Sequence, residues 1–391
     1  MKAVCARFLK KFDIAKSTQE ELHKIYPDLG RTLQEEAHLA RDQGLFDAAL
    51  SAYQKACRSN PALIASWREQ AKILDRKGRR GEAQQAMFQA NRLAKLPNEL
   101  VAVTHFIHEK KLLKAEDICR HFLQKNPHNI EGMRLLADIG SRFGIFHEAD
   151  FLLESAIEFD PNNIQLRLDH IQVLRKRQRF AQALEQAEFL YNLDPENPMF
   201  QSHFAIENMQ IGNHEKAFEL FERILEKLPN DPATLTSRGH GFKTFGNHDD
   251  AVESYRNAYR AKPDHGDAYF GLANLKTYRF TDAEIDQMLG LSERTDIGFM
   301  DRVHICFSLG KAYEDREQFE QSFVQYERGN DLKIIQSRYQ AAGMTEELQA
   351  QATVCTEELF DKQNGKGCPA PDPIFILGLP RAGSTLSLIH I

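Results

Sequence analysis

Pro127, Pro161, Pro195, Pro229 and Pro263 stand 34 residues apart in an unbroken series, and a chain that keeps such a ruler is built by stacking one unit repeatedly. Twelve positions before each proline comes a small residue: Ala115, Ala149, Ala183, Ala217 and Ala251. Eight before it stand Cys119, Leu153, Ala187, Phe221 and Tyr255, and 24 before it Val103, Ala137, Ile171, Ala205 and Gly239. One pair of antiparallel helices per period accounts for all three rows. Small residues stand where two helices cross closely, larger ones fill the seam to the next pair, and proline closes the second helix because it cannot continue the hydrogen-bond ladder. Gly144, Gly212 and Gly246 fall where the first helix must turn into the second, at a position that tolerates unusual φ.

A 34-residue period with this layout resembles the tetratricopeptide repeat. The stretch from Asp231 to Lys262 matches best, with Gly239, Phe242, Gly246, Ala251, Tyr255 and Ala258 followed by Pro263. Repeats starting near Gly30, Ile64, Leu96, Ile130, Ile164, Pro198, Pro232 and Gly266 cover the N-terminal two-thirds. The step from Ala83 to Ala115 is two residues short of the ruler, so the third repeat is the weakest in register. Past about Phe280 the ruler slips, although His304 to Tyr313, followed by Phe319 and Tyr326, still reads as a divergent repeat. Trp67, the one tryptophan, is at a packing position.

Met344 to Lys362 reads as an amphipathic helix, and Gln363-Asn-Gly-Lys-Gly-Cys-Pro-Ala-Pro-Asp-Pro373 as a breaker-rich linker. The expected organisation is an N-terminal helical segment (1–29), a repeat array of about eight to nine units (30–330), a helix and linker (331–372), and the start of a second domain (373–385). Leu386-Ser-Leu-Ile-His-Ile391 does not suit a helix after a phosphate loop. It resembles what a widely used sequencing adapter encodes, and is expected to be a non-native tail on an interrupted reading frame.

Ile374-Phe-Ile-Leu377 is a continuous apolar run of the kind found in a strand buried in a parallel sheet. After it, Gly378 and Gly383 let backbone N–H groups approach an anion, Arg381 brings a permanent charge, and Ser384 and Thr385 supply hydroxyls at a helix start. The glycines have the spacing of the ATP-binding loop, but Ser384 stands where its lysine belongs. The segment instead resembles the 5′-phosphosulfate loop of sulfotransferases that use 3′-phosphoadenosine 5′-phosphosulfate (PAPS). Pro380, Arg381, Gly383, Ser384 and Thr385 match that loop, and Ala382 stands where serine is commoner.

Tetratricopeptide arrays ahead of such a domain form a known bacterial-type group, and Ala273 to Phe280 with Asp301 to Gly310 resembles its repeat-to-domain region. The resemblance implies an all-α superhelical solenoid with a C-terminal stub of an α/β, P-loop-like sulfotransferase domain. It implies PAPS as donor, bound by Pro380, Arg381, Ala382, Gly383, Ser384 and Thr385. The general base and the 3′-phosphate site lie beyond the loop in this family, so no catalytic residue is named. The array would bind or orient a protein, a peptide or another acceptor; the alternative is an interaction scaffold with no catalysis of its own.

In such arrays the first helix of each pair lines the binding face. The register places Arg68, Lys72, Arg76, Arg134, Arg142, Arg175, Lys176, His240 and Lys243 there. These cations fit an acidic partner and fit equally a set of solvated helix faces. The whole chain, with 50 basic and 56 acidic residues and a net charge of −6, lacks the positive field of a nucleic-acid-coating protein. Its six cysteines (5, 57, 119, 306, 355, 368) form no Cys-x-x-Cys pair, and its histidines do not gather at metal spacing, so no metal is expected. Scattered thiols, no apolar leader and no membrane-length apolar run lead to the expectation of a cytoplasmic protein with no membrane partner.

Overall fold

The computed structural model describes residues 2–366, apart from 27–28, 295 and 338–339. The segments expected to form a strand and a phosphosulfate-type loop, and the expected non-native tail, all lie outside the described residues. Two compact units divide at Gly271 and Leu272.

The first unit is a run of helical hairpins. It begins with α1 (Lys2–Phe8) and α2 (Phe12–Ile25), then α3 (Gly30–Asp42) and α4 (Phe46–Ser59), α5 (Ile64–Arg76) and α6 (Arg80–Ala94), and α7 (Asn98–His108) and α8 (Leu112–Lys125). It continues through α9 (Ile130–Phe143) and α10 (Phe146–Phe159), α11 (Ile164–Lys176) and α12 (Phe180–Leu193), α13 (Pro198–Gln210) and α14 (His214–Lys227), and α15 (Pro232–Phe245) and α16 (His248–Ala261). Helix α17 (Gly266–Ala273) spans the division. The odd-numbered helices from α3 start where the ruler puts a new repeat, except α7. It begins at Asn98 rather than Leu96, because Pro97 is its N-cap and a proline there fixes the chain in an extended conformation.

Three local devices repeat with the period. Each ruler proline lies two residues past the end of a second helix, and the residue before it is kept out of the helical region, with φ between −129° and −150° and positive ψ: Asn60, Asn126, Asp160, Asp194, Leu228 and Lys262. Two residues after four of the prolines, Asn129, Asn163, Asn197 and Asp231 cap the next helix by accepting a backbone N–H, at 2.9, 3.3, 3.0 and 2.8 Å. Six residues after a proline, side chains of four different chemistries donate to its carbonyl. Trp67 reaches Pro61 (2.8 Å), Arg167 reaches Pro161 (2.7 Å), Gln201 reaches Pro195 (2.7 Å) and Tyr269 reaches Pro263 (3.2 Å). An exposed carbonyl in a bend is thereby satisfied without secondary structure.

The turn inside each hairpin is left-handed at one residue. Lys10, Gly44, Gly78, Lys110, Gly144, Gln178, Gly212 and Gly246 all have φ between 56° and 96°, so Lys10, Lys110 and Gln178 make a turn that glycine makes elsewhere. The three rows of small and apolar residues read from the sequence are buried at 0–1% exposure, forming strips of core between consecutive helix pairs.

The second unit contains α18 (Asp282–Ser292), α19 (Phe299–Glu314), α20 (Phe319–Ser337), α21 (Ala341–Val354) and α22 (Glu357–Gln363). Helices α19 and α20 repeat the array's crossing: a β-carbon on Gly310 would lie 2.6 Å from the Tyr326 ring, and Ser322 Oγ donates to the Gly310 carbonyl at 2.8 Å. The amphipathic helix read from Met344 to Lys362 is two helices broken at Cys355 and Thr356, and neither buries a residue. No strand occurs among the described residues.

Candidate functional site

The first helices of the first unit carry most of the charge that the sequence placed on a binding face, and their geometry pairs much of it internally. A cation on one first helix meets a carboxylate on the next: Arg7 on α1 with Glu35 (3.1 Å), Arg41 on α3 with Glu69 (3.2 Å), Arg134 on α9 with Asp169 (3.0 Å), and Arg175 on α11 with Glu207. His240 on α15 lies 3.9 Å from Asp267 on α17. The cation is always on the earlier helix, giving a ladder with one polarity. Among the described residues the ladder is absent from α5 to α7, α7 to α9 and α13 to α15.

Of the nine cations read from the sequence, Arg134 also holds Glu131 (2.8 Å), Arg142 holds Asp138 (2.9 Å) and Lys72 holds Glu69 (2.7 Å). His240 Nδ1 is 2.8 Å from the Tyr255 hydroxyl. The expected basic groove is therefore a mixed-charge face. Arg68, Arg76, Lys176 and Lys243 have no carboxylate partner among the described residues; Arg76 lies over the Phe46 ring, 5.5 Å from its centre. The nine do not converge on one point, but Arg134, Arg142 and Lys176 do.

Those three line a cavity of about 550 Å³ between α9 and α11. Its polar wall adds Asp138, Ser141, Asp169 and Gln172, and its apolar floor is Ala137, Phe146, Leu153 and Val173. Among the side chains facing it from the two helices, Ala137, Ser141 and Val173 are short and leave room between the long charged ones. One period on, Arg175 and the buried Glu207 stand where Ser141 and Val173 line the cavity. Arg134 is held more strongly protonated than a free guanidinium, since its bonds to Glu131 and Asp169 outweigh the burial that alone would lower its pKa.

Next along the ladder, Glu207 is fully buried, and its Oε2 has no hydrogen-bond partner among the described residues. Burial raises its pKa against the opposing pull of Arg175. His203 beside it is pushed down to about 4 by burial and by Arg175. On another edge, buried Asp150 takes His170 Nε2 at 2.6 Å, Arg179 at 2.8 Å and Arg177. Burial would raise the Asp150 pKa, but these partners hold it below the usual carboxylate range.

The acidic members, Asp138, Asp169 and Glu207, were missed by a reading that looked for cations alone. Their signal is in the sequence: Asp169 lies one period and one residue after Arg134. The Cys57 and Cys119 thiols are buried and pushed up to about 12, so neither is a nucleophile at neutral pH. Among the described residues no group of His, Cys, Asp and Glu is placed to hold a metal ion, and no helix is long and apolar enough to cross a membrane. Pro380, Arg381, Ala382, Gly383, Ser384 and Thr385 lie outside the described residues.

Two family models described as tetratricopeptide repeat match this chain, one at residues 30–63 and one at 168–232 and 237–275. The helical solenoid of the first unit is a tetratricopeptide-repeat array. An uncharacterised protein of Aquifex aeolicus is 25% identical over 172 residues, which is 44% of this chain and 22% of that protein; the chain thus spans less than a quarter of that relative's length. Among solved structures, a tetratricopeptide repeat protein from Parabacteroides merdae aligns over 72% of this chain and 98% of its own at 15% identity and a TM-score of 0.43. A MamA fragment from Desulfovibrio magneticus aligns over 43% and 97% at 12% identity and a TM-score of 0.39.

Proposed function

We propose that the array is a docking surface for a protein or peptide segment, laid along the first helices from α5 to α15. The observation that carries this reading is the one-way ion ladder. Its internal pairs tie α9 to α11 and α11 to α13, while Arg68, Arg76, Lys176 and Lys243 stay free to meet a partner's charge, which favours a segment with acidic residues. Hydrogen exchange tests it. With a peptide selected from a random library on the full chain, amides of α9, α11, α13 and α15 should exchange more slowly while those of α10, α12 and α14 stay unchanged. Equal protection of both sets, or of the second helices alone, would overturn the reading.

A second reading is favoured by one sequence observation, the Pro373 to Thr385 segment. In it the array recruits or orients an acceptor for a cytoplasmic sulfotransferase. The loop amides with Arg381, Ser384 and Thr385 would hold the donor's 5′-phosphate and stabilise charge growing on it during sulfuryl transfer. Calorimetry with PAPS on the full-length gene product tests it: binding heat lost in Arg381→Ala is expected, and no heat with the unaltered protein would sink the enzymatic reading while leaving docking intact.

A further inference from the structure

We infer that the cavity between α9 and α11 is the selecting site of the array and takes one carboxylate of an acidic peptide together with the apolar side chain next to it. This rests on the docking reading and makes it specific. Arg134 is already committed, with Nε and Nη2 on Glu131 and Nη1 on Asp169. Arg142 gives its Nε to Asp138 and is otherwise open to solvent, 43% exposed. Lys176 lines the same cavity without a carboxylate partner among the described residues. Three carboxylates, Glu131, Asp169 and Asp138, are all taken up by the two arginines, which leaves Lys176 with none.

One incoming carboxylate can be bonded by Lys176 and the free N–H groups of Arg142 without breaking an existing pair. A cationic ligand would have to compete with Arg134 and Arg142 for Asp169 and Asp138. Below the charges, Ala137, Leu153 and Val173 are buried and Phe146 is half-buried, so the floor offers apolar surface that water wets poorly. At about 550 Å³ the space is of the size that holds small ligands or a few side chains, rather than a folded domain. A lone metabolite acid would use the charges, but an acidic residue followed by a leucine, methionine or aromatic residue uses both walls.

The test uses random dodecapeptides displayed on phage and selected on the full chain, then synthesised and titrated by fluorescence polarisation. Selected sequences should share an aspartate or glutamate beside an apolar residue. Lys176→Glu should weaken them at least tenfold, whereas Lys55→Glu, the same charge change at an exposed site on the second helix α4, should leave affinity within about twofold. Both lysines are on the array's surface, and matching circular dichroism of the two variants establishes that folding is not the cause. Peptides that bind but lack an acidic residue, or that respond equally to both reversals, would overturn the pocket assignment and leave general docking standing. Selection of no peptide at all would overturn both.

Discussion

Gly239 and Tyr255 share one space: a β-carbon on the glycine would lie 2.7 Å from Cε1 of the tyrosine ring, and that ring is wholly buried. On its other side Gly271 crowds the same ring, with a β-carbon position 2.5 Å from Cε1. The phenol escapes between the helices to His240. Sixteen residues separate Gly239 from Tyr255, Ala37 from Tyr53 and Gly310 from Tyr326, so the crossing is built from the same small-against-aromatic contact in three places.

Gly239→Ala should therefore destabilise the array. Helix propensity favours alanine by about 1 kcal/mol. Overpacking a ring with no room to retreat opposes it by about 1–3 kcal/mol. The expected net loss is about 1 kcal/mol, within a range of about 0–2, read from urea unfolding; a gain in stability would show that Tyr255 can move.

Gln178→Gly should stabilise. Gln178 holds φ 58° in a turn where five other repeats have glycine, and a side chain in that region is strained by roughly 1–2 kcal/mol. Part of the relief is offset because glycine gains freedom in the unfolded chain. The expected gain is about 0.5 kcal/mol. Lys110→Gly, two turns away at φ 60°, should add to it independently, and thermal melting of the single and double variants checks both.

The pH dependence between 6.5 and 4 should carry the mark of His203. Its folded pKa of about 4 lies below the unfolded 6.5, so the unfolded state binds the proton first and stability falls as pH drops through that window. Glu207 works the other way: its raised folded pKa favours the fold at low pH and weakens it as pH rises above the ordinary carboxylate range. His203→Gln should flatten the acid-side slope of the unfolding free energy, and Glu207→Gln should not. An unchanged slope in His203→Gln would mean that this histidine is protonated in the folded state.

The repeat starts were legible because proline and the small crossing residues act through backbone sterics, which any position in a period feels alike. Lys110 and Gln178 escaped, since their turns are imposed by helices on both sides rather than by their own preference. The ladder was half legible. Arg134 and Arg175 stood out as charges on a helical face, but whether a carboxylate answers them depends on the next helix being set one period on, which charge counting on single helices does not register. The cavity was invisible to periodicity, because it arises from what Ala137, Ser141 and Val173 leave unfilled.

Trp67 is the single tryptophan, half-buried with its indole N–H on the Pro61 carbonyl, and so reports on the seam between the first two repeats. Each repeat in a stacked array contacts only its neighbours, and damage at one end is felt weakly at the other. Gly239→Ala lies five repeats from Trp67. It should lower the urea midpoint followed by far-ultraviolet circular dichroism, by about 0.5 M for a loss of about 1 kcal/mol, and leave the tryptophan fluorescence midpoint nearly in place. A repeat whose neighbours are intact keeps its own strip of core, here Tyr53, Ala71, Leu74 and Ala83. If instead the fluorescence midpoint moves by the same amount, the ion ladder and the proline-carbonyl bonds couple the hairpins tightly enough for the first unit to unfold as one block, despite the missing rungs from α5 to α9.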